Sequence, residues 1–150
     1  MMLHFERTDS GNPDFIALVR LLDADLAIRD GDDHAFYAQF NKVDSIRHVI
    51  VAYDDQKPVG CGAFKPFDAH TVEIKRMFVL PECRGKGIAA QIVQNLETWA
   101  AELSVARCVL ETGKQQPEAI ALYTKCGYVV TPNFGQYIGV DNSVCFEKTL

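Results

Sequence analysis

"PECRGKGIAAQ", residues 81–91, packs two glycines and two cations into one bend and then runs into an apolar helix. Gly85 and Gly87 remove Cβ atoms, so successive backbone N–H groups can converge on one ligand at a helix N-terminus. Such a bend is an anion site of diphosphate size, with Arg84 and Lys86 adding charge at its rim. A glycine pair alone is equally a tight strand-to-helix turn with solvated cations, so its surroundings decide. Upstream lies "TVEIKRMFV" (71–79), rich in β-branched and aromatic residues, which reads as a strand. Downstream, Ile88, Ile92, Leu96, Trp99 and Leu103 recur at helical spacing, predicting an amphipathic helix of about 18 residues packed on a sheet. "RCVLET" (107–112) is then a buried strand. Strand, helix and strand make a right-handed βαβ crossover, so the two strands are expected to be parallel neighbours.

Working outward, "LHFER" (3–7) reads as a short strand, and Asn12 before Pro13 supplies an N-cap and a first residue for a helix over about 13–28. Phe15, Val19, Leu22 and Leu26 give that helix a buried stripe. A second short helix is expected near "DHAFYAQFN" (33–41). "RHVIVAYDDQKPVGCGAFKPF" reads as two strands joined by "DDQK", which with 71–79 make an antiparallel meander. Pro117 and Gly127 frame another helix, "PEAIALYTKC", and strands at "YVVT" and "SVCFEKTL" follow, separated by the loop "PNFGQYIGVDN". The expected fold class is α/β of the α+β type. It has a mixed, mostly antiparallel sheet with a parallel pair in the middle, flanked by about four helices.

At 150 residues, with no low-complexity tract, repeat or long linker, the chain reads as one domain over 1–150. Hydrophobic residues at 48% and charged residues at 23% are ordinary globular values. A formal net charge of −5 argues against nucleic acid or an anionic membrane as partner. No apolar run approaches the roughly 20 residues of a membrane span, and "MMLHFERTDS" has no signal-peptide character, so a cytoplasmic location is expected. The five cysteines, at 61, 83, 108, 126 and 145, lack metal-ligand spacing and are expected to be reduced and mostly buried. Cys83 beside Arg84 invites attention, although a bystander thiol is the plainer reading. His4, His34, His48 and His70 are scattered and carry no assigned chemistry.

Three phosphate-binding patterns compete for the bend. A P-loop needs Gly-Lys-Ser/Thr at the helix start, and "GKGIA" lacks the hydroxyl. The dinucleotide fingerprint G-x-G-x-x-G/A is formally met by Gly85, Gly87 and Ala90, with Glu111 near the end of the next strand as a ribose-binding acid. Against it, residues 80–84 separate strand from glycines, the front half is antiparallel, and too little chain follows Glu111 for a second half. The third pattern, R-x-x-G-x-A, is filled by Arg84, Gly87 and Ala89. With it, "VEIKRMFVLPECRGKGIAAQIV" and "AIALYTKCGY" resemble the strand-loop-helix core and second helix of the GNAT superfamily of N-acetyltransferases, and the resemblance covers nearly the whole chain.

That resemblance implies acetyl-CoA as co-substrate, no metal, and a primary amine as acceptor, attacking directly in a ternary complex. The amides of Arg84, Gly85, Lys86, Gly87, Ile88 and Ala89 would cradle the pyrophosphate. Met77 and Val79 would offer backbone groups to the pantetheine arm in a slot between splayed parallel strands, the Val79 N–H serving the oxyanion. Tyr123 matches the tyrosine that protonates the departing thiolate, a sound pairing because a phenol of pKa about 10 stays protonated at neutral pH. Glu73 occupies the place of a catalytic glutamate and is the candidate base; it equally could orient the acceptor or pair with Lys75 or Arg76. The family often has asparagine where this chain has Gln116, which leaves a coenzyme contact there open. Phe134 and Tyr137, with Phe36 and Tyr37, are candidates to line the acceptor pocket. The alternatives are a non-catalytic acyl-CoA-binding or sensing module, or an acetyltransferase acting on protein N-termini or lysines. A small-molecule acceptor is the expected partner, with a homodimer the commonest assembly.

Overall fold

The computed structural model describes residues 1–31 and 45–150. The helix expected at 33–41, with Phe36 and Tyr37, lies outside the described residues. Seven strands, β1 (Leu3–Thr8), β2 (His48–Asp54), β3 (Lys57–Asp68), β4 (Thr71–Val79), β5 (Arg107–Gly113), β6 (Val129–Thr131) and β7 (Ser143–Thr149), form one sheet in the order β1-β2-β3-β4-β5-β7-β6. Three α-helices are described: α1 (Pro13–Asp30), α2 (Ile88–Glu102) and α3 (Pro117–Lys125). Every strand pair is antiparallel except β4 with β5. The sheet is thus the expected meander joined through one parallel pair to a second antiparallel unit.

Helix α1 begins where the sequence asks. The Asn12 side chain accepts from the amides of Asp14 and Phe15, and Pro13 needs no donor partner. Its buried face, Phe15, Leu18, Val19 and Leu22, packs on one side of the sheet against Val49, Val51, Cys61, Ala63 and Phe78. On the opposite side, Ile88, Ile92, Val93 and Leu96 of α2 pack on Ile50, Val72, Ile74, Cys108 and Leu110, and Tyr123 of α3 joins them. Gly62 permits this approach, since a Cβ there would lie 2.4 Å from Met77 Sδ and 2.8 Å from Ile92. Helix α2 is 15 residues long, shorter than expected. Gly87 sets its start, and Leu103, read as a buried position, is instead its C-cap and 49% exposed. The hydrophobic spacing thus runs one turn past the sheet edge.

Two irregularities shape the middle of the sheet. The β4–β5 ladder holds only three pairs, Thr71 with Arg107, Val72 with Cys108 and Glu73 with Val109, after which the strands part. In β4, Lys75 pairs with Ala63 and Phe78 with Cys61, so three steps on β4 meet two on β3. The extra residue is a bulge in which Arg76 takes a φ of +61°, the left-handed region. The bulge turns Arg76 toward α1, where its Nη1 donates to Asp23 at 3.1 Å, and restores Met77 and Val79 to the α2 side.

Candidate active site

Where β4 and β5 part, two adjoining cavities of about 120 and 320 Å³ open, sharing Leu22, Met77, Gln116, Ala119 and Tyr123. The larger runs from Met77, Phe78 and Val79 over the glycine bend to α3. Gly85 and Gly87 both adopt φ of +79°, with nothing within 4 Å of a Cβ placed at Gly85. Gly87 caps α2 without a side-chain hydrogen bond, and the amides of residues 85–90 have no backbone acceptor among the described residues. Unmet amides over open space at a helix N-terminus suit an anion, and a diphosphate is long enough to span them. Arg84 does more than add charge: its Nε donates to the Val79 carbonyl at 2.9 Å and its guanidinium lies over the Phe78 ring, folding the bend back onto β4. Lys86 stays exposed at the rim. Cys83 is buried beneath the bend, packed in the core beside Val79 and Ile88, as a structural thiol.

The Leu80 amide donates to Val59 on β3, so alternation along the strand turns the amides of Val79 and Met77 to the other edge, into the gap. The gap therefore carries backbone groups where a thioester arm needs partners. Gln116 caps α3 at the junction of the two cavities, its amide donating to the Gly113 carbonyl. Its side chain lies beside Gly113, and the residue lines both cavities.

Tyr123 is 6% exposed on the wall common to both cavities. Burial, reinforced by Cys126 and Glu111, pushes its phenol further above the ordinary value of 10.0. It is therefore a neutral O–H donor at physiological pH.

The smaller cavity is built from charge. Glu73 is 3% exposed; its Oε2 accepts from the Tyr137 hydroxyl at 3.4 Å and lies 4.0 Å from Lys75 Nζ. Burial lowers the Lys75 pKa, against the opposing pull of Glu73. Burial beside Glu73 and Glu111 raises the phenol of Tyr137. Glu111, which the sequence offered only as a ribose-binding acid, lines this cavity and accepts from Ser143 Oγ at 2.6 Å. Leu22 and Leu26 of α1 form its apolar side.

Of the residues offered for the acceptor pocket, Tyr137 lines the smaller cavity, whereas Phe134 lines neither. Phe134 packs edge-on against Phe67 and Tyr137, holding the loop that carries Tyr137. Of the two cations that Glu73 was expected to meet, Lys75 is its neighbour and Arg76 is committed to Asp23. Arg76, Lys75 and Glu111 all line this cavity, where sequence reasoning had offered the two cations only as pairing partners of Glu73 and Glu111 only as a ribose-binding acid. The alternation of "VLET", which puts Val109 and Glu111 on one face, was the available signal for the last of these. Among the described residues no group of acidic, histidine or cysteine side chains is placed to hold a metal, and no helix is long and apolar enough to cross a membrane.

Comparison with known proteins gives this geometry its family. A structure from Klebsiella pneumoniae, assigned as an acyl-CoA N-acyltransferase, superposes with a TM-score of 0.83 at 28% identity, covering 99% of this chain and 98% of that one. An Elizabethkingia anophelis GNAT acetyltransferase with acetyl-CoA bound shares the fold at a TM-score of 0.70 and 19% identity, over 99% and 98% of the two chains. The IAA acetyltransferase of Azospirillum brasilense is 36% identical over 102 residues, 67% of each chain. YjgM, an uncharacterized N-acetyltransferase of Escherichia coli, is 35% identical over 53% of this chain and 48% of its own length, so the match spans about half of that relative. The acetyltransferase (GNAT) family profile matches residues 15–128, and the chain belongs to that family of acyltransferases.

Proposed function

We propose that the chain transfers an acetyl group from acetyl-CoA to a primary amine, the two substrates meeting in the gap between β4 and β5. The observation that carries this reading is the position of Tyr123, on the wall shared by the two cavities. A group that must reach a departing thiolate while the acceptor attacks from the other side belongs there.

The amides of residues 85–90 bind the pyrophosphate, and Met77 and Val79 hold the pantetheine arm by their backbone groups. The co-substrate supplies an activated acyl group as a thioester. As the amine attacks, the Val79 N–H takes up the charge developing on the carbonyl oxygen. Glu73 accepts the proton that the ammonium must lose before or during attack, with Tyr137 and Lys75 fixing its carboxylate. Tyr123 donates its proton to the leaving sulfur, whose conjugate acid has a pKa near 8.5, and is reprotonated, through solvent, by the second proton that the nitrogen loses as the amide forms. No covalent acyl-enzyme is needed on this reading, because the two cavities adjoin at Tyr123.

Steady-state CoA release with both substrates varied tests this. Intersecting double-reciprocal lines are expected, and parallel lines would replace the ternary complex with a covalent relay. Binding of acetyl-CoA with no CoA release across primary amines would favour the sensing module instead.

A further inference from the structure

Lys75 is an amine held inside the smaller cavity. Its side chain is 8% exposed, it lines that cavity, and its Nζ lies 4.0 Å from Glu73 Oε2. Among the described lysines it is the one that lines this cavity; the Lys57 side chain is 62% exposed and Lys86 is exposed at the rim of the glycine bend. Strand β4 places it there. Lys75 follows Glu73 by two residues and pairs with Ala63, which packs on the α1 side of the sheet, so both side chains stand on that face before the bulge breaks the alternation.

An ordinary lysine is a poor nucleophile at neutral pH, because a pKa of about 10.4 keeps it protonated. Burial lowers the pKa of Lys75, with Lys65 and Arg76 acting in the same sense and Glu73 and Glu111 opposing. This amine therefore gives up its proton more readily than one on the surface, and the proposed general base is its neighbour. On the acetyl-transfer reading, an acceptor nitrogen must come to rest beside Glu73 with the thioester in the gap. The nitrogen of Lys75 stands beside that carboxylate at 4.0 Å, little more than a hydrogen bond, on a flexible four-carbon stem.

Resting on the acetyl-transfer reading for its chemistry, we propose that Lys75 is a self-acetylation site, modified by the chain's own bound acetyl-CoA when no acceptor amine occupies the smaller cavity. Nζ attacks the thioester carbonyl carbon, and the N–C bond forms as the C–S bond breaks. The ammonium loses one proton to Glu73 and a second as the amide forms, the latter replacing the proton that Tyr123 delivers to sulfur. CoA leaves as the thiol. The new amide does not pass its acetyl group on, carries no charge, and adds its bulk to a cavity of about 120 Å³. Acetylated Lys75 thus blocks the acceptor site, and an amine lying against Glu73 protects it.

The test incubates the chain with acetyl-CoA carrying an isotope-labelled acetyl group, with no amine added, and reads intact mass and peptide mass spectra. A single acetyl group per chain is expected, on Lys75, with an equal amount of CoA released. The rate is expected to be independent of protein concentration, because the transfer runs within one molecule. Tyr123→Phe is expected to slow it by about 10²- to 10⁴-fold while acetyl-CoA still raises the melting temperature. Should that variant not fold, wild-type protein unfolded in urea is the control, and it is expected to lose the selectivity for Lys75. No label on Lys75, label spread evenly over the exposed lysines, a rate proportional to protein concentration, or equal labelling in the control overturns the proposal.

The same mixture with a panel of primary amines separates this proposal from the reading it rests on. Label on Lys75 with no amine turned over keeps self-acetylation and defeats transfer to a separate acceptor. Amine turnover with Lys75 unlabelled throughout defeats self-acetylation and leaves transfer standing. Where both occur, the amine that is turned over is expected to slow the labelling of Lys75, and protein acetylated beforehand to lose turnover in proportion to the fraction of Lys75 modified. Undiminished turnover by the acetylated protein would overturn the blocking of the site.

Discussion

The two sides of the gap are made of different material. On the acetyl-transfer reading proposed above, the coenzyme side is backbone: free amides of the bend, the inward N–H groups of Met77 and Val79, and an uncapped helix start. The acceptor side is side-chain charge: Glu73, Lys75 and Arg76 from β4, Glu111 from β5 and Tyr137 from a loop, with α1 as the apolar wall. A backbone cradle needs only a short local sequence with glycines at the right places, and it recognises what does not vary, a diphosphate. A charged pocket needs partners brought from distant segments, and it can change its ligand by changing one side chain. Tyr123 lines both cavities and, on the proposed reading, serves both.

Removing that shared residue tests the division most severely. Tyr123→Phe is expected to lower kcat by about 10²- to 10⁴-fold, the usual effect of losing a general acid, while acetyl-CoA still raises the melting temperature as in the wild type. Wild-type turnover in this variant would remove Tyr123 from the chemistry. On the acceptor side alone, Glu73→Gln is expected to lower kcat/KM for the amine by about 10²-fold and to shift the pH–rate profile, with KM for acetyl-CoA unchanged. A profile identical to the wild type would assign the base elsewhere.

The same division explains what could be read from the chain. Strand β4 ends where the residue types say, at Thr71 and Val79, and α3 and the parallel pair follow from local periodicity and chain connectivity. The glycine bend was equally legible, because Gly85, Gly87 and the helix they open are contiguous. The acceptor side was not. Nothing in "IKRMF" marks a bulge, since Arg76 takes the left-handed conformation without a glycine, held there by Asp23 from fifty-three residues away. Glu111 could be seen as an acid near a strand end, but its cavity exists only once β5 parts from β4. Phe134 and Tyr137 are three apart in one loop, yet only the second faces Glu73.

A smaller effect is expected where the cradle depends on backbone conformation. Gly87→Ala places a Cβ on a residue at φ +79°, which costs about 1–2 kcal/mol, while little crowds the site itself. The expected result is a rise of about 10-fold in KM for acetyl-CoA with the acceptor KM unaltered, read from initial rates. If both constants rise together, the two sides are mechanically linked and the separation drawn above fails.

The smallest effect lies under the bulge. Cys61 of β3 is fully buried, and its thiol donates to the Arg76 carbonyl at 3.4 Å. Burial pushes that thiol from 9.0 up to about 12, outweighing the opposing influence of Arg76. A folded pKa above the unfolded one means that the contribution to stability is whole below pH 9 and is lost as pH rises from 9 toward 12, because the unfolded chain gives up its proton first. Urea unfolding between pH 9.5 and 11 is therefore expected to show declining stability, and Cys61→Ala to make the decline shallower, by at most about 1.4 kcal/mol per pH unit for one group. At pH 7 the same variant loses one weak hydrogen bond to the bulge, so the acceptor KM is expected to rise only about twofold and the acetyl-CoA KM not at all. Parallel alkaline slopes in the two proteins would show that the thiol ionises alike in both states, and the bulge would then owe its conformation to the Asp23 ion pair alone.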